Sequence, residues 1–420
     1  MNFEGVFNLK KPFLSASEAF VNFPSLYGKN YDFQKERYEN AFNFFKENFN
    51  VSGAYIASSS GRVEVVGNHT DHNGGVVLCT AISLDSLAMF LPTENDKIHI
   101  VSEGYPDIIV DLNDITNTKI PNSESLVKGV LYATKQRGYK IGGFNAYITS
   151  NVLGGAGISS SASFEVLIAE ILNFLYNDGA ISCQEKSFIA QFAEREFFGK
   201  PCGLLDQSAI AYGGLNRIDF SSETEIKVTP INNKVNDFSL VLINTGGTHD
   251  DLIDEYASIP AEMKAVAKCF DKERLICVDE RDFYKNIKNI STKVSDRAIC
   301  RAVHFYEENE RVYNASNALE NGDYDLFATA LNASGQSSLY KLQNCYVPKS
   351  DNQPIVKAIA LCSKITRGGA VRIHGGGFAG CVLCVVKNEV LDDFIQDAKC
   401  YYDEKDIIVL SVREKGTIVL

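Results

Sequence analysis

The sequence predicts an α+β protein of two domains with a substrate cleft between them. At 420 residues the chain exceeds the usual size of a single hydrophobic core, so two domains are the expected arrangement. Its first half mixes strand-like runs with helical periodicity, and after Gly213 and Gly214 a new series of strands and helices begins. We therefore predict an N-terminal domain over residues 1–215 and a C-terminal domain over residues 216–420.

The N-terminal elements follow from local pattern. Charged, periodic sequence predicts a helix over residues 30–50, and the β-branched run GRVEVVG predicts a strand that leads into the polar loop NHTDHNGG. Alternating apolar stretches at 76–91 and 98–112 predict further strands, and residues 123–137 have helical spacing. These elements give this half its α+β character.

The middle of the chain has the order strand, glycine loop, helix. A strand over 145–150 runs into LGGAGISSS, and the apolar residues of SASFEVLIAEILNFLYN then recur at helical spacing. A second amphipathic helix, predicted over 184–198, ends near Gly199 and Pro201, which do not continue a helix easily. Beyond residue 215 the predicted elements are a strand at 239–244, several helices between 253 and 342, and strands at 381–386 and 407–412.

Composition excludes several classes of function. The chain has 41 basic and 53 acidic residues, and its net charge of −12 disfavours binding to nucleic acid or to anionic lipid. The longest apolar run, 375–386, is shorter than the roughly 18 to 20 residues that span a bilayer, and the N-terminus lacks a basic-then-apolar leader. Eleven cysteines follow no disulfide-framework spacing. We expect a cytoplasmic protein with no obligate protein partner.

The glycine loop is a candidate phosphate site. Glycines let the backbone approach an anion, and a helix N-terminus presents free N–H groups and a positive dipole. Hydroxyls at the helix start can cap those groups or bind a Mg²⁺ ion carried by a nucleotide. The candidate residues are Gly154, Gly155, Gly157, Ser159, Ser160 and Ser161. A purely structural turn is the alternative. The P-loop and protein-kinase motifs are absent from the sequence, and the third glycine position of a Rossmann fingerprint is Ser160.

Three separated segments together carry a specific resemblance. They are GRVEVVGNHTDHNGG, LGGAGISSSASFEV and RIHGGGFAGCVLCVV, and in order and spacing they resemble the three motifs of the GHMP kinases. The first looks like the galactokinase opening GRxNxxGEHTDYN. The resemblance covers about residue 20 to the end, and it implies a two-domain GHMP kinase fold with the active site in the interdomain cleft. It further implies a kinase that uses ATP and Mg²⁺ to phosphorylate the anomeric hydroxyl of a galactose-like sugar.

The resemblance also implies the catalytic residues. Asp206 lies in PCGLLDQ, which looks like the segment with the family's catalytic aspartate, and it would accept or orient the proton of the sugar hydroxyl. Arg62 would neutralise charge on Asp206 and on the phosphoryl group in flight. Glu194 would share Mg²⁺ with Ser161, since hard oxygen ligands suit that ion. A helix cap for Asp206 and surface roles for Arg62 and Glu194 are the structural alternatives.

Recognition of the sugar would involve the first motif and two later positions. The predicted residues are Asn68, His69, Asp71, Gly203 and Tyr256. Short acidic side chains can accept from two neighbouring sugar hydroxyls, which enforces stereochemistry. A transition-metal site at His69, Asp71 and His72 is the alternative for this loop.

Two positions depart from the galactokinase pattern and leave the substrate open. Asn68 stands where the family usually has glutamate, a position associated with the sugar's C6 hydroxyl, and His72 stands where it has tyrosine. Asparagine removes a negative charge that would repel a carboxylate at C6, so a galacturonate kinase, or another sugar 1-kinase of the family, is an alternative. A regulator that binds sugar and ATP without turnover is the alternative from another class.

Overall fold

Two β-sheets, one in each half of the chain, organise the computed structural model. It describes residues 11–28, 31–116, 120–152, 154, 157–246 and 252–420. Helices and strands occur in both halves, which confirms the predicted α+β fold. Within these residues no helix is both long and apolar enough to cross a membrane.

The first sheet has eight strands among the described residues. They run β1 Tyr55–Val66, β2 Val76–Pro92, β3 Lys97–Ser102, β4 Ile108–Asp111, β5 Phe144–Ser150, β6 Leu215–Asp219, β7 Lys227–Pro230 and β12 Ile418–Val419. Their order is β12-β1-β2-β5-β3-β4, with β6 paired to a separate part of β2 and β7 paired to β6. All pairs are antiparallel except β3 with β5.

Helices cover both faces of this sheet. They are α1 Phe23–Tyr27, α2 Asp32–Phe49, α3 Ser123–Gln136, α4 Ser160–Tyr176, α5 Cys183–Phe192 and α6 Leu205–Tyr212. Because side chains alternate along a strand, Tyr55 and Ala57 of β1 face a core with α3, α4 and α5, whereas Ile56 faces a core with α1 and α2. The predicted helix at 184–198 continues past α5 as a π-helical turn over Ala193–Phe198.

The second sheet is antiparallel in the order β11-β8-β10-β9. Its strands are β8 Phe238–Asn244, β9 Ala370–Ile373, β10 Cys381–Lys387 and β11 Ile407–Leu410. The helices of this half are α7 Ile253–Lys268, α8 Glu280–Ile290, α9 Asp296–Asn321, α10 Tyr324–Ser337, α11 Pro354–Ile365 and α12 Leu391–Lys399. One sheet face packs on α11 and α12, and the other joins a core shared with α9, α10 and β1.

The first sheet continues beyond residue 215, where the sequence predicts the domain boundary. β6 pairs with β2 from Thr80↔Leu215 to Val76↔Asp219, and β7 extends the same sheet. The later strand β12 returns to pair with β1. We propose that the first domain extends to Pro230 and includes residues 413–419.

The two halves meet at the loop that follows β1. From α9, Glu308 accepts hydrogen bonds from the amides of Gly67 at 3.0 Å and Asn68 at 3.3 Å. His304 contacts the Asn68 carbonyl at 2.8 Å. From β9, Arg372 donates to the carbonyls of Glu64 at 3.0 Å and Val65 at 2.9 Å. Elements of the second half therefore hold the first sequence motif in place.

Candidate active site

A cavity at this meeting point brings together residues from four separate parts of the sequence. The predicted residues that line it are Arg62, Asn68, His69, Asp71, Gly203, Asp206 and Tyr256. Gly375 and Gly376 of the third motif complete one wall. The glycine loop lies next to this cavity through a contact between Ser159 and Asp206. Convergence of catalytic-type side chains in a concave site is the arrangement expected of an active site.

Arg62 and Asp206 form an ion pair in the cavity wall. The Asp206 Oδ1 atom accepts from Arg62 Nε at 2.8 Å, and it lies 2.7 Å from Arg62 Nη2. The remaining Arg62 nitrogen donates to the Gly157 carbonyl. Arg62 therefore joins the catalytic aspartate candidate to the glycine loop. The arginine side chain is 7% exposed and the aspartate side chain 31%, so the carboxylate remains open to the cavity.

The ion pair sets the protonation state of Asp206. Burial would raise the pKa of this carboxyl, but the Arg62 charge and the Ser159 hydrogen bond outweigh it and lower the pKa below its ordinary value. Asp206 is thus an anion at neutral pH and a weak proton acceptor. It can orient a hydroxyl and stabilise a cationic neighbour more readily than it can hold a proton.

The glycine loop presents the N-terminus of α4 beside Asp206. Gly157 (φ 72°) and Ser159 (φ 67°) both have left-handed backbone conformations, which turn the chain sharply into the helix. Ser159 does not cap α4, because its hydroxyl donates to Asp206 instead. Ser160 is the first helical residue, and among the described residues nothing lies within 4 Å of a Cβ placed on Gly154. Gly155 lies outside the described residues.

Ser161 and Glu194 lie together, as the resemblance implies. The Ser161 hydroxyl donates to Glu194 Oε1 at 2.9 Å, and Glu194 lies on the π-helical turn. Lys200 donates to the same oxygen at 2.9 Å, and Gln207 donates to Oε2 at 2.8 Å. A hydroxyl beside a buried carboxylate is a hard-oxygen donor set, which fits a Mg²⁺ ion that takes its other ligands from phosphate and water.

Asp71 is held in the wall by the start of α6. Its Oδ2 atom accepts from the amides of Leu204 at 3.1 Å and Leu205 at 3.4 Å. A Cβ at Gly203 would lie 1.6 Å from that oxygen, so only glycine permits this approach. Burial and the nearby Asp206 charge raise the pKa of Asp71 to about 6.

The two histidines of the first motif form a chain of hydrogen bonds. Asn73 contacts His72 Nδ1 at 2.8 Å, His72 Nε2 lies 3.3 Å from His69 Nδ1, and His69 Nε2 lies 2.8 Å from the Gly376 carbonyl. Neutral rings with the proton on Nε2 satisfy every link. Burial accordingly lowers the pKa of His69 to about 4 and that of His72 well below its usual value.

The hydrogen bonds of His69 and His72 occupy the ring nitrogens that a metal ion would need as ligands. In the part of the chain that the structure describes, no group of three His, Cys, Asp or Glu side chains is arranged to hold a metal ion.

Tyr256 packs edge-on against His69 with ring centroids 5.3 Å apart. His69 therefore serves to position the loop and the third motif against each other.

The polar atoms of Asn68 contact other protein groups, whereas the sequence predicted that they contact the sugar. It is fully buried, and its Nδ2 donates to Glu64 Oε1 at 3.0 Å and to the Gly375 carbonyl at 2.8 Å. Its Oδ1 accepts from Asn344 at 2.8 Å and Ser338 at 3.3 Å. Both amide protons and both carbonyl lone pairs are thus used. Asn68 touches the cavity, but its hydrogen-bonding groups are directed into the protein.

Among the cavity-lining residues that were not predicted, two have charged side chains. Lys200 and Glu64 line the cavity, and neither was among the predicted site residues. Lys200 has no motif signal, because only the fold brings it to Glu194. Glu64 did have a motif signal, because in GRVEVVGNHTD it occupies the asparagine position of the GRxNxxGEHTDYN pattern.

The third motif lies against the other two. A Cβ at Gly376 would lie 2.2 Å from the Tyr256 ring, and one at Gly377 (φ 91°) would lie 2.4 Å from the Asn344 carbonyl. A Cβ at Gly375 would be 3.6 Å from the Gly157 carbonyl. The glycines therefore allow the turn to fit between the glycine loop and the cavity wall.

Two family models match the chain. Residues 43–91 match the galactokinase galactose-binding signature, and residues 125–214 match the GHMP kinases N terminal domain. The first match contains Arg62 to His72, and the second contains the glycine loop, Glu194 and Asp206.

Curated relatives extend the similarity over most of the chain. A galactokinase of Lacticaseibacillus casei is 30% identical over 376 residues, which are 86% of this chain and 92% of the relative. A galactokinase of Clostridium tetani is 29% identical over 353 residues, which are 82% and 87% of the two chains.

Solved structures share the fold. Lactococcus lactis galactokinase complexed with galactose superposes with a TM-score of 0.77 at 23% identity and covers 96% of this chain and 99% of that one. A mevalonate kinase superposes with a TM-score of 0.61 at 17% identity, covering 86% and 99%.

Proposed function

Since this chain belongs to the galactokinase family within the GHMP kinases, we propose that it transfers the terminal phosphoryl group of ATP to the anomeric hydroxyl of galactose. The products are a sugar 1-phosphate and ADP. We expect this reaction in the cytoplasm, where ATP is available.

One observation carries the proposal more than any other. Asp206 lines the cavity and also accepts a hydrogen bond from Ser159 of the glycine loop. A hydroxyl bound in the cavity next to Asp206 would therefore be close to a phosphate bound at the start of α4. Phosphoryl transfer needs this juxtaposition of acceptor and donor, because most of its catalysis is positioning and charge stabilisation.

Each charged or polar residue of the site has a separate role in the proposed reaction. Asp206 orients the attacking hydroxyl, whose oxygen forms the new O–P bond while the bond to the ADP oxygen breaks and the hydroxyl proton passes toward the carboxylate or solvent. Arg62 balances the Asp206 charge and lies beside the glycine loop, where it can stabilise the phosphoryl group in flight. Ser161 and Glu194 would hold Mg²⁺, which when bound neutralises phosphate charge.

The charges of the cavity favour a neutral sugar over a uronate. Carboxyl groups of Glu64, Asp71 and Asp206 line it. Among the described lining residues the two long cations are engaged, Arg62 with Asp206 and Lys200 with Glu194. A substrate carboxylate would meet like charges, and it would have to compete with Asp206 for Arg62 and with Glu194 for Lys200, which costs binding energy. Galactose therefore fits better than galacturonate.

A coupled ADP-release assay tests the proposal. Purified protein would be screened with galactose, N-acetylgalactosamine, galacturonate, arabinose and glucose, with ³¹P NMR to identify the phosphorylated position. We expect the highest kcat/KM with galactose and a 1-phosphate product. Phosphorylation at another position, or a preference for galacturonate, would overturn the assignment. Sugar binding without turnover of any hexose would indicate a regulator instead.

A further inference from the structure

Glu64 is a buried carboxylate that the proposed reaction leaves without a role. It lies on β1 two residues after Arg62, it is 4% exposed, and it lines the cavity. Buried carboxylates are rare unless they are paired or have a function. Burial raises the pKa of Glu64, and the Arg372 charge opposes that rise.

The two oxygens of Glu64 have unequal surroundings. Oε1 accepts from Arg372 Nη2 at 2.7 Å and from Asn68 Nδ2 at 3.0 Å. Oε2 has, among the described residues, only the longer 3.4 Å contact with the same Asn68 nitrogen. That nitrogen already donates to Oε1 and to the Gly375 carbonyl. Oε2 therefore retains acceptor capacity that the protein does not use.

The surroundings of Glu64 hold it rigidly. Arg372 is fully buried and also donates to two backbone carbonyls of β1, and the Glu64 amide donates to His374 Nε2 at 3.3 Å. Asn68 is in turn fixed by Asn344. A carboxylate held on one oxygen and unfilled on the other is a preorganised acceptor for a hydroxyl group.

We propose that Glu64 contacts the substrate and determines its specificity, with Oε2 accepting a hydrogen bond from one sugar hydroxyl while Arg372 and Asn68 fix the carboxylate. This inference rests on the proposed function, since it assigns the cavity to the sugar. It also gives the departure at Asn68 a physical meaning. Relative to GRxNxxGEHTDYN, Glu64 and Asn68 have exchanged amide and carboxylate, and the two side chains are hydrogen-bonded to each other. The negative charge is retained in the cavity wall at a different position.

The test uses Glu64→Gln with galactose and its monodeoxy analogues. We expect wild-type enzyme to lose about 10- to 100-fold in kcat/KM for one deoxygalactose. Glu64→Gln should lose a similar factor with galactose and should no longer discriminate against that one analogue. Discrimination against the other deoxygalactoses should persist, because Asp71 and the other lining groups are unchanged.

Glu308→Gln is the matched control. Glu308 is also a fully buried carboxylate that braces the same loop, but it does not line the cavity. Its substitution should lower thermal stability and leave the pattern of discrimination unaltered. If Glu64→Gln lowers kcat/KM by one common factor for galactose and every analogue, as a structural residue would, the proposal is wrong.

Two further measurements keep the outcomes distinct. Calorimetric Kd values for the same sugars report on Glu64 even without turnover. If Glu64→Gln changes the affinity difference for only one deoxygalactose and no sugar is phosphorylated, the proposed function is refuted but the Glu64 contact is retained. If Glu64→Gln does not fold, Glu64→Asp keeps a carboxylate beside Arg372 and shortens the side chain by one methylene, which withdraws its oxygens from the cavity. This variant should lose discrimination against the same one deoxygalactose, and unchanged discrimination would contradict the inference.

Discussion

Asp206→Asn changes the charge of the candidate catalytic carboxylate while keeping its size. In the wild-type site Oδ1 lies 2.8 and 2.7 Å from two Arg62 nitrogens, and Oδ2 accepts from Ser159. The amide oxygen of asparagine can replace Oδ1, but its NH₂ group then faces a hydroxyl that had been a donor. Ser159 must rotate to accept, and Arg62 loses its anionic partner.

The structure sets the size of the expected effects. Removing one partner of a buried ion pair costs about 3 to 5 kcal/mol. Because the Asp206 side chain is 31% exposed and one hydrogen bond to Arg62 survives, we expect about 2 to 3 kcal/mol of lost unfolding free energy. Turnover should fall by about 10²- to 10⁴-fold, the range for a lost general base or electrostatic group.

The assay separates these two effects. Steady-state kinetics give kcat and both KM values, denaturant unfolding gives the stability, and titration with a non-hydrolysable ATP analogue gives nucleotide affinity, which should stay within a few-fold. In wild type, the low pKa of Asp206 predicts that this carboxylate contributes no acid limb to kcat near neutral pH. A variant that keeps kcat within tenfold of wild type would refute the assignment of Asp206.

Three more predictions follow from the same site. Gly203→Ala should raise the KM for sugar at least about tenfold and leave the KM for ATP unchanged, because the new Cβ would displace the Asp71 carboxylate; an unaltered sugar KM in steady-state assays would contradict this. Ser161→Ala should raise the Mg²⁺ concentration for half-maximal activity several-fold, and an unchanged Mg²⁺ titration at fixed ATP would move the metal elsewhere. Since the pKa of Asp71 is raised to about 6 and its anion is the better acceptor, kcat/KM for sugar should fall as pH drops through about 6; a flat profile from pH 5 to 8 would exclude that role.

Local pattern was sufficient for most elements of the fold. The predicted strands around Val63 and Val76 and the helix after the glycine loop all occur, because their periodicity is local. Motif order also identified residues that the fold brings into one cavity. The π-helical turn at Glu194 was not predictable, since apolar spacing does not distinguish it from a continuing α-helix.

The features that could not be predicted from the sequence depend on pairing between distant parts of the chain. The sequence gives no local sign that Leu215 pairs with Thr80, so the strands after residue 215 could not be assigned to the first sheet. In the same way, the side-chain oxygen of Asn68 accepts a hydrogen bond from Asn344, which is 276 positions away. A motif indicates which residues converge, but the partner that completes a hydrogen bond can come from any part of the chain.

The return of β12 to the first sheet has a consequence for how the chain acquires its structure during synthesis. Arg413, fully buried, donates to the Ser58 hydroxyl at 2.7 Å across 355 positions, and Ala57 pairs with Val419. Until those residues leave the ribosome, the edge of β1 has unpaired backbone groups, although the remainder of its sheet has already been made. The first sheet therefore cannot be completed until the C-terminal half, through Val419, has been synthesised.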